Sequence, residues 1–198
     1  NASLEKIFSN CAFIGGEEKD NFEIEFAKMM GVKHCIGVAN GTDALFLILR
    51  GLNIGKGDKV VTVANSFIAS SETISAAGAT PIFCDADENN FLIDLVKLEK
   101  ILELRAKTEN IKALIVVHLY GQIVDMPKLL QITNKYGVKV IEDCAQSIGA
   151  LYKGKYAGTL GDIGVFSLNY HKHIHCGEGG VVVTNDDGLA ERMRLIRN

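Results

Sequence analysis

The feature that most constrains this chain is an alternation of two periods. Short apolar runs rich in β-branched residues recur along it, and stretches with helical spacing lie between most of them. The runs are "CIGV", "DKVVTV", "TPIFCDAD", "KALIVVHLYG", "VKVIEDCA", "GDIGVFSLN" and "GGVVVTN". The intervening stretches are "GTDALFLILRGL", "SFIASSETISAAG", "DLVKLEKILE" and "MPKLLQITNKYG". "KALIVV" is almost continuously apolar and so has no polar face, which suits a parallel strand covered on both sides. Leu45, Leu47, Ile48 and Leu49 suit a buried helix. Asp94 stands where an N-cap is expected, and Gly78 where a helix should close. Repeated strand–helix alternation predicts an α/β layered domain with a mostly parallel sheet.

Composition narrows the function classes. At 198 residues the chain is long enough for one domain with a sizeable core. A formal net charge of −3 supplies no basic surface for nucleic acid. No apolar run reaches the roughly 18 residues that span a bilayer, and "NASLEKIFSN" has no signal-peptide pattern. Five scattered cysteines without a CxxC spacing read as reduced, mostly buried thiols of a cytoplasmic protein. The chain starts with Asn1, and "DDGLAERMRLIRN" reads as an amphipathic helix with no Gly or Pro terminator. The expectation is a fragment of a longer protein.

In sheets of this kind the ligand sits at the carboxyl ends of the strands. The reactive residues just after a strand are Asn40-Gly41-Thr42, Asn65-Ser66-Phe67, Asp85, His118-Leu119-Tyr120, Asp143, and Ser167 to Lys172. Gly41-Thr42 opens a helix, so it is either an ordinary cap or an anion site. Asp143 is either a capping carboxylate or the partner of a protonated ring nitrogen, with Gln146 one helical turn on. Lys172 follows the apolar "GVFSL" and is either a solvated charge or a desolvated amine nucleophile. His171, His173 and His175 alternate around it, and on a strand His173 and His175 would share a face with metal-binding potential. Their spacing matches no standard zinc pattern, and His34 and His118 stand alone, so no metal is expected.

The ordered set "NGTDAL", "NSFIASSETISAAGATPIFCDAD", "VHLYGQIVDM" and "IEDCAQSIGALYKGKYAGTLGDIGVFSLNYHKHIHCGEGG" resembles the DegT/DnrJ/EryC1/StrS aminotransferases. The resemblance runs over nearly the whole chain and is most specific from Asp143 to Gly180. It implies the three-layer α/β/α large domain of fold-type I pyridoxal 5'-phosphate (PLP) enzymes, here over residues 1–198, with a smaller C-terminal domain absent. The family's Schiff-base lysine lies five residues after the serine of "FS" and before a "GEGG" turn, which is Lys172 here. Asp143 then corresponds to the residue that pairs with the pyridine nitrogen, and Gln146 to the residue near the 3'-hydroxyl. Gly41, Thr42, Asp43 and Ser167 correspond to the phosphate site, and Phe67 to the aromatic that stacks on the ring.

The activity so implied is transfer of an amino group, with glutamate as donor, to a nucleotide-linked keto-sugar in cell-surface polysaccharide or secondary-metabolite sugar biosynthesis, by a cytoplasmic homodimer. Two alternatives follow from the same residues. Relatives with histidine at the lysine position are sugar dehydratases, and three histidines flank Lys172. Some relatives are regulatory, so a non-catalytic role is the other.

Overall fold

The computed structural model describes residues 2–198. In chain order the elements are α1 (Ala2–Ser9), α2 (Glu17–Met30), β1 (His34–Val38), α3 (Gly41–Gly51), β2 (Lys59–Val63), α4 (Ala69–Ala76), β3 (Thr80–Cys84), α5 (Leu95–Arg105) and β4 (Ile111–Val117). They continue through a 3-10 turn (Leu119–Gly121), α6 (Met126–Asn134), β5 (Lys139–Asp143), a hairpin of β6 (Leu151–Tyr152) and β7 (Lys155–Tyr156), β8 (Ile163–Ser167), β9 (Gly180–Thr184) and α7 (Asp187–Arg197). A seven-stranded sheet runs in the order β1-β9-β8-β5-β4-β2-β3. The pairs from β8 to β3 are parallel, and β9 is antiparallel to both its neighbours. Because β9 alone is reversed, the carboxyl end of β1 and the start of β9 share a rim with the carboxyl ends of β8, β5, β4 and β2.

The period-2 alternation of the strands sorts their side chains into two layers. Val60, Ala113, Ile115, Ile141, Val165 and Val182 face a cluster with α3, α4 and α7. Val61, Leu114, Val116 and Val140 face the other side, against α5 and α6. Phe26 and Met30 of α2 cover Cys35, Phe166, Val181 and Val183 on that second side. The result is the three-layer α/β/α domain with a mostly parallel sheet. Each fully buried Ile or Leu contributes about 2 kcal/mol by leaving water.

The expected caps hold. Asp94 accepts the N–H groups of Val96 and Lys97 at 2.8 and 3.1 Å, and Gly78 follows α4 at φ 89°. Other expectations need correction. "KALIVVHLYG" is a strand only to Val117, after which the chain turns sharply through Tyr120 at φ 56°, ψ 24°. Helix α4 begins at Ala69, which leaves Phe67 in the preceding loop. The cysteines agree with expectation: all five are free, with Cys35, Cys84 and Cys144 buried and Cys11 and Cys176 exposed. Among the described residues no helix is long and apolar enough to cross a membrane.

Candidate active site

The rim that β9 completes encloses a cavity of about 450 Å³. Gly41, Thr42, Asp43, Phe67, Asp143, Gln146, Ser167 and Lys172 all line it, although they lie up to 131 residues apart in the chain. The carboxyl ends of β1, β2, β5 and β8 and the segments that follow them bring them together.

The first wall is the start of α3. Asn40 caps the helix by accepting the Asp43 N–H at 2.7 Å, while its side-chain amide donates to the Asp43 carboxylate at 3.1 Å. The N–H groups of Gly41 and Thr42, in the first turn, have no intrahelical acceptor and open toward the cavity with the positive end of the helix dipole. Strand β8 ends against this turn. A Cβ on Gly41 would stand 3.0 Å from Ser167 Cβ, so glycine lets the serine hydroxyl reach the helix start. Gly180 has the same duty from the other side, since a Cβ there would collide with the Asn40 carbonyl. Hydroxyls at Thr42 and Ser167 beside free N–H groups make an anion-binding corner.

The floor is the end of β5. Asp143 is buried, and one of its oxygens accepts the Ala145 N–H at 3.0 Å. Burial pushes its carboxyl above the ordinary 3.8, and the Ala145 N–H and the positive charge of Lys172 pull it partway back. A carboxylate held in this way favours a cationic hydrogen-bond donor in the cavity. Gln146 lies in a turn and not in a helix; its Oε1 accepts the Tyr120 N–H at 2.8 Å. The left-handed Tyr120 backbone is what aims that N–H at Gln146.

Lys172 is carried by the loop between β8 and β9. The loop is pinned at its base by Leu168 N–H to the Gly179 carbonyl at 2.8 Å and Cys176 N–H to the Leu168 carbonyl at 3.1 Å. Asn169 organises its interior. Its backbone carbonyl accepts the Lys172 N–H at 2.9 Å, its side-chain carbonyl accepts the His171 N–H at 3.2 Å, and its amide donates to Glu178 at 2.5 Å. Lys172 is half-buried and reaches the same cavity as Asp143. Opposite, Phe67 presents an exposed ring to the cavity.

Several residues are placed differently from expectation. The loop contains no strand, so His173 and His175 share no face, and only His171 of the three lines the cavity. Asp85 pairs with Lys97 at 2.9 Å and does not line it. His118 does not stand alone: its Nε2 lies 2.9 Å from Glu142, and both side chains are fully buried. Asn169 and Glu178 also line the cavity. Glu178 belongs to the Gly-Glu-Gly-Gly turn and Asn169 to the Ser167–Lys172 stretch already singled out by sequence, but the role of Asn169 depends on how the loop folds back.

The sequence model of the DegT/DnrJ/EryC1/StrS aminotransferase family matches residues 1–198. The chain is 47% identical over 197 residues to the dTDP-3-amino-3,6-dideoxy-alpha-D-galactopyranose transaminase of Aneurinibacillus thermoaerophilus, across 99% of this chain and 53% of that protein. Among solved structures, S. venezuelae DesV in complex with a ketimine intermediate superposes with a TM-score of 0.88 at 37% identity, across 100% of this chain and 55% of that one. The E. coli GDP-4-keto-6-deoxy-D-mannose-3-dehydratase with bound hydrated PLP superposes with a TM-score of 0.90 at 29% identity, across 99% and 51%. The chain spans about half the length of the curated relatives it matches. With a family match that covers every residue and a shared fold, the chain belongs to the DegT/DnrJ/EryC1/StrS aminotransferase family.

Proposed function

We propose that this chain is the cofactor-binding large domain of a PLP-dependent aminotransferase that moves an amino group from an amino acid, glutamate in the first instance, to a nucleotide-linked keto-sugar. The observation that carries the reading is the cavity itself, on which a buried carboxylate (Asp143), an amine (Lys172) and an anion-binding helix start (Gly41, Thr42) converge. These residues fit PLP. The α3 corner matches a phosphate, the gap that Gly41 leaves beside Ser167 lets a phosphate sit against backbone, and Asp143 matches a protonated pyridine nitrogen.

When bound, PLP supplies the electron sink that lets the C–H bond of the amino donor break. The protein's own groups do the rest. Gly41 and Thr42 N–H groups with the Thr42 and Ser167 hydroxyls bind the phosphate, and Asp43 holds the capped first turn in shape through Asn40. Asp143 keeps a proton on the ring nitrogen, and Gln146 donates to the ring's hydroxyl from its amide end, its Oε1 being held by Tyr120. Phe67 covers the ring face. Lys172 Nζ would hold the cofactor and would carry the proton to and from the reacting carbon.

The named transaminase relative supports a nucleotide-sugar acceptor. Exposed Phe67 and Tyr170 beside the cavity support a homodimer in which a second copy covers them. The free thiols support a reducing compartment, the cytoplasm. A second reading, keto-sugar dehydration with His171 as base, is favoured by one observation: His171 lines the cavity beside Lys172.

The test is to add PLP, record the absorption spectrum, reduce with borohydride and map the modified peptide. A pyridoxyl group on Lys172, absent from Lys172→Ala, is the expected result. A folded protein with no modified lysine overturns the reading. Product analysis with glutamate and a keto-sugar then separates the two chemistries: an amino-sugar means transfer, and a deoxy-keto-sugar with released ammonia means dehydration.

A further inference from the structure

Directly beneath the cavity floor lies a buried polar couple that the chemistry above does not use. His118 and Glu142 are both completely buried, with Nε2 2.9 Å from Oε2. The Val124 N–H donates to His118 Nδ1 at 3.4 Å, so Nδ1 carries no proton and the neutral ring donates from Nε2 to Glu142. Glu142 also accepts the N–H groups of Gly158 at 2.9 Å, Leu160 at 2.7 Å and Gly161 at 2.5 Å. Four donors therefore converge on one carboxylate, which has acceptors only.

His118, Glu142 and Cys144 are the one group of three metal-ligand side chains among the described residues whose atoms all lie within 4.8 Å. It is not built for a cation. The carboxylate's lone pairs already meet N–H donors and His118 Nδ1 accepts Val124, which leaves the two better ligands engaged. Burial also pushes the Cys144 thiol well above its ordinary 9.0, with Glu142 adding to the shift, so no thiolate is at hand.

The geometry points instead to the floor's anchor. The couple ties together three segments that are distant in sequence: the turn after β4, the end of β5 and the connection from β7 to β8. Each tie has a counterpart at the cavity. The His118 N–H donates to the Asp143 carbonyl at 3.0 Å, and two residues after His118 the Tyr120 N–H holds Gln146. Asp143 and Glu142 are neighbours on β5, so period-2 alternation sends one carboxylate into the cavity and the other down into this network. Gly158, whose N–H is held by Glu142, also packs so tightly that a Cβ there would collide with Phe166, next to Ser167. We propose that His118 and Glu142 are positioning residues: through their mutual hydrogen bond they set where Asp143 and Gln146 stand in the cavity. The cofactor arm of its test rests on the PLP reading; the conformational arm does not.

Two substitutions at His118 separate position from mere filling. His118→Asn keeps an acceptor near Nδ1 for Val124 but loses the donor to Glu142. His118→Gln keeps a donor near Nε2. Amide hydrogen exchange on the protein without cofactor should rise about 10-fold or more in His118→Asn at Gly158 and Gly161, and also at the cavity amides Tyr120 and Ala145, as expected for loss of a buried charge-assisted bond. His118→Gln should return these rates to within about 3-fold of the parent. In parallel, the dissociation constant for PLP should rise about 10-fold in His118→Asn and recover in His118→Gln. Glu142→Gln, which sets an amide N–H₂ against N–H donors, should resemble His118→Asn in both measurements.

Unchanged exchange at Tyr120 and Ala145 in folded His118→Asn, or an unchanged PLP constant alongside raised exchange, overturns the proposal. So does equal loss in the Asn and Gln variants, which would mean that ring volume alone matters. If His118→Asn does not fold, the comparison of His118→Gln with Glu142→Gln decides in the same way. If the parent protein binds no PLP at all, the function proposed above fails, and the exchange data still decide whether the couple holds the floor.

Discussion

Asp143 shows at the scale of one residue how function and stability oppose each other. Its carboxyl is pushed above 3.8 chiefly by burial. For an acid with a raised folded-state pKa, the contribution to stability is complete below the unfolded value and is lost as pH rises through the folded one. At neutral pH the buried charge therefore weighs against the empty fold. Asp143→Asn should unfold at higher urea concentration than the parent at pH 7, with the difference closing as pH falls below about 3.8. The same variant should bind PLP about 10- to 100-fold more weakly, since it loses a charge-assisted hydrogen bond. Urea titrations across pH and a PLP titration check the two halves; a variant that loses both stability and affinity would contradict the argument. The place of Lys172 at the cavity was expected from the family resemblance, whose serine-to-lysine spacing and Gly-Glu-Gly-Gly turn lie close together in sequence. The role of Asn169 was not, because its hydrogen bonds with His171, Lys172 and Glu178 exist only once the loop has closed on itself.

At the scale of elements, two helix caps of the same chemistry have different duties. Asn40 caps α3 inside the cavity, and Asp94 caps α5 away from it. Asn40→Ala and Asp94→Ala should each cost about 1 kcal/mol of stability. Only Asn40→Ala should also weaken PLP, because it loosens the first turn whose N–H groups form the anion corner. Equal PLP constants for the two variants would mean that the corner does not depend on its cap. Strand positions were legible because a β-branched run buried on both faces has few other fates. The turn at Tyr120 was not: "HLYG" continues the apolar run, and the left-handed backbone there goes with a hydrogen bond to Gln146, 26 residues away. Helix α2 lacks a sharp pattern because Glu23 lies on its buried face with Phe26 and Met30, while Phe22, Ile24 and Met29 are exposed.

For the molecule as a whole, one ion-pair cluster ties the sheet to its helical layer outside the cavity. Glu109 receives Arg105 at the end of α5 at 2.7 Å and Lys59 at the start of β2 at 2.5 Å. The side-chain hydrogen bonds from Arg105 and then Lys59 lower its carboxyl from the ordinary 4.5 to about 2. For a lowered acid the sign reverses: the stabilisation is present above 4.5 and is lost as pH falls toward about 2. Glu109→Gln should therefore be less stable than the parent at pH 7, with the two stabilities meeting near pH 2, and its PLP constant should not change. The group is partly exposed, so salt should narrow the gap. Stability curves for both proteins from pH 7 to pH 2, at two salt concentrations, test this.

The chain's own order of residues determined the layered α/β class, the places of the strands and the capping residues, because each of these depends on side chains near one another in sequence. Tertiary structure alone decided that β9 runs against its neighbours, that only His171 of the three histidines reaches the cavity, and that His118 lies under Asp143 against Glu142. Those are outcomes of packing between distant segments. A buried polar group takes whichever partner the closed fold brings within reach, and no local pattern encodes that partner.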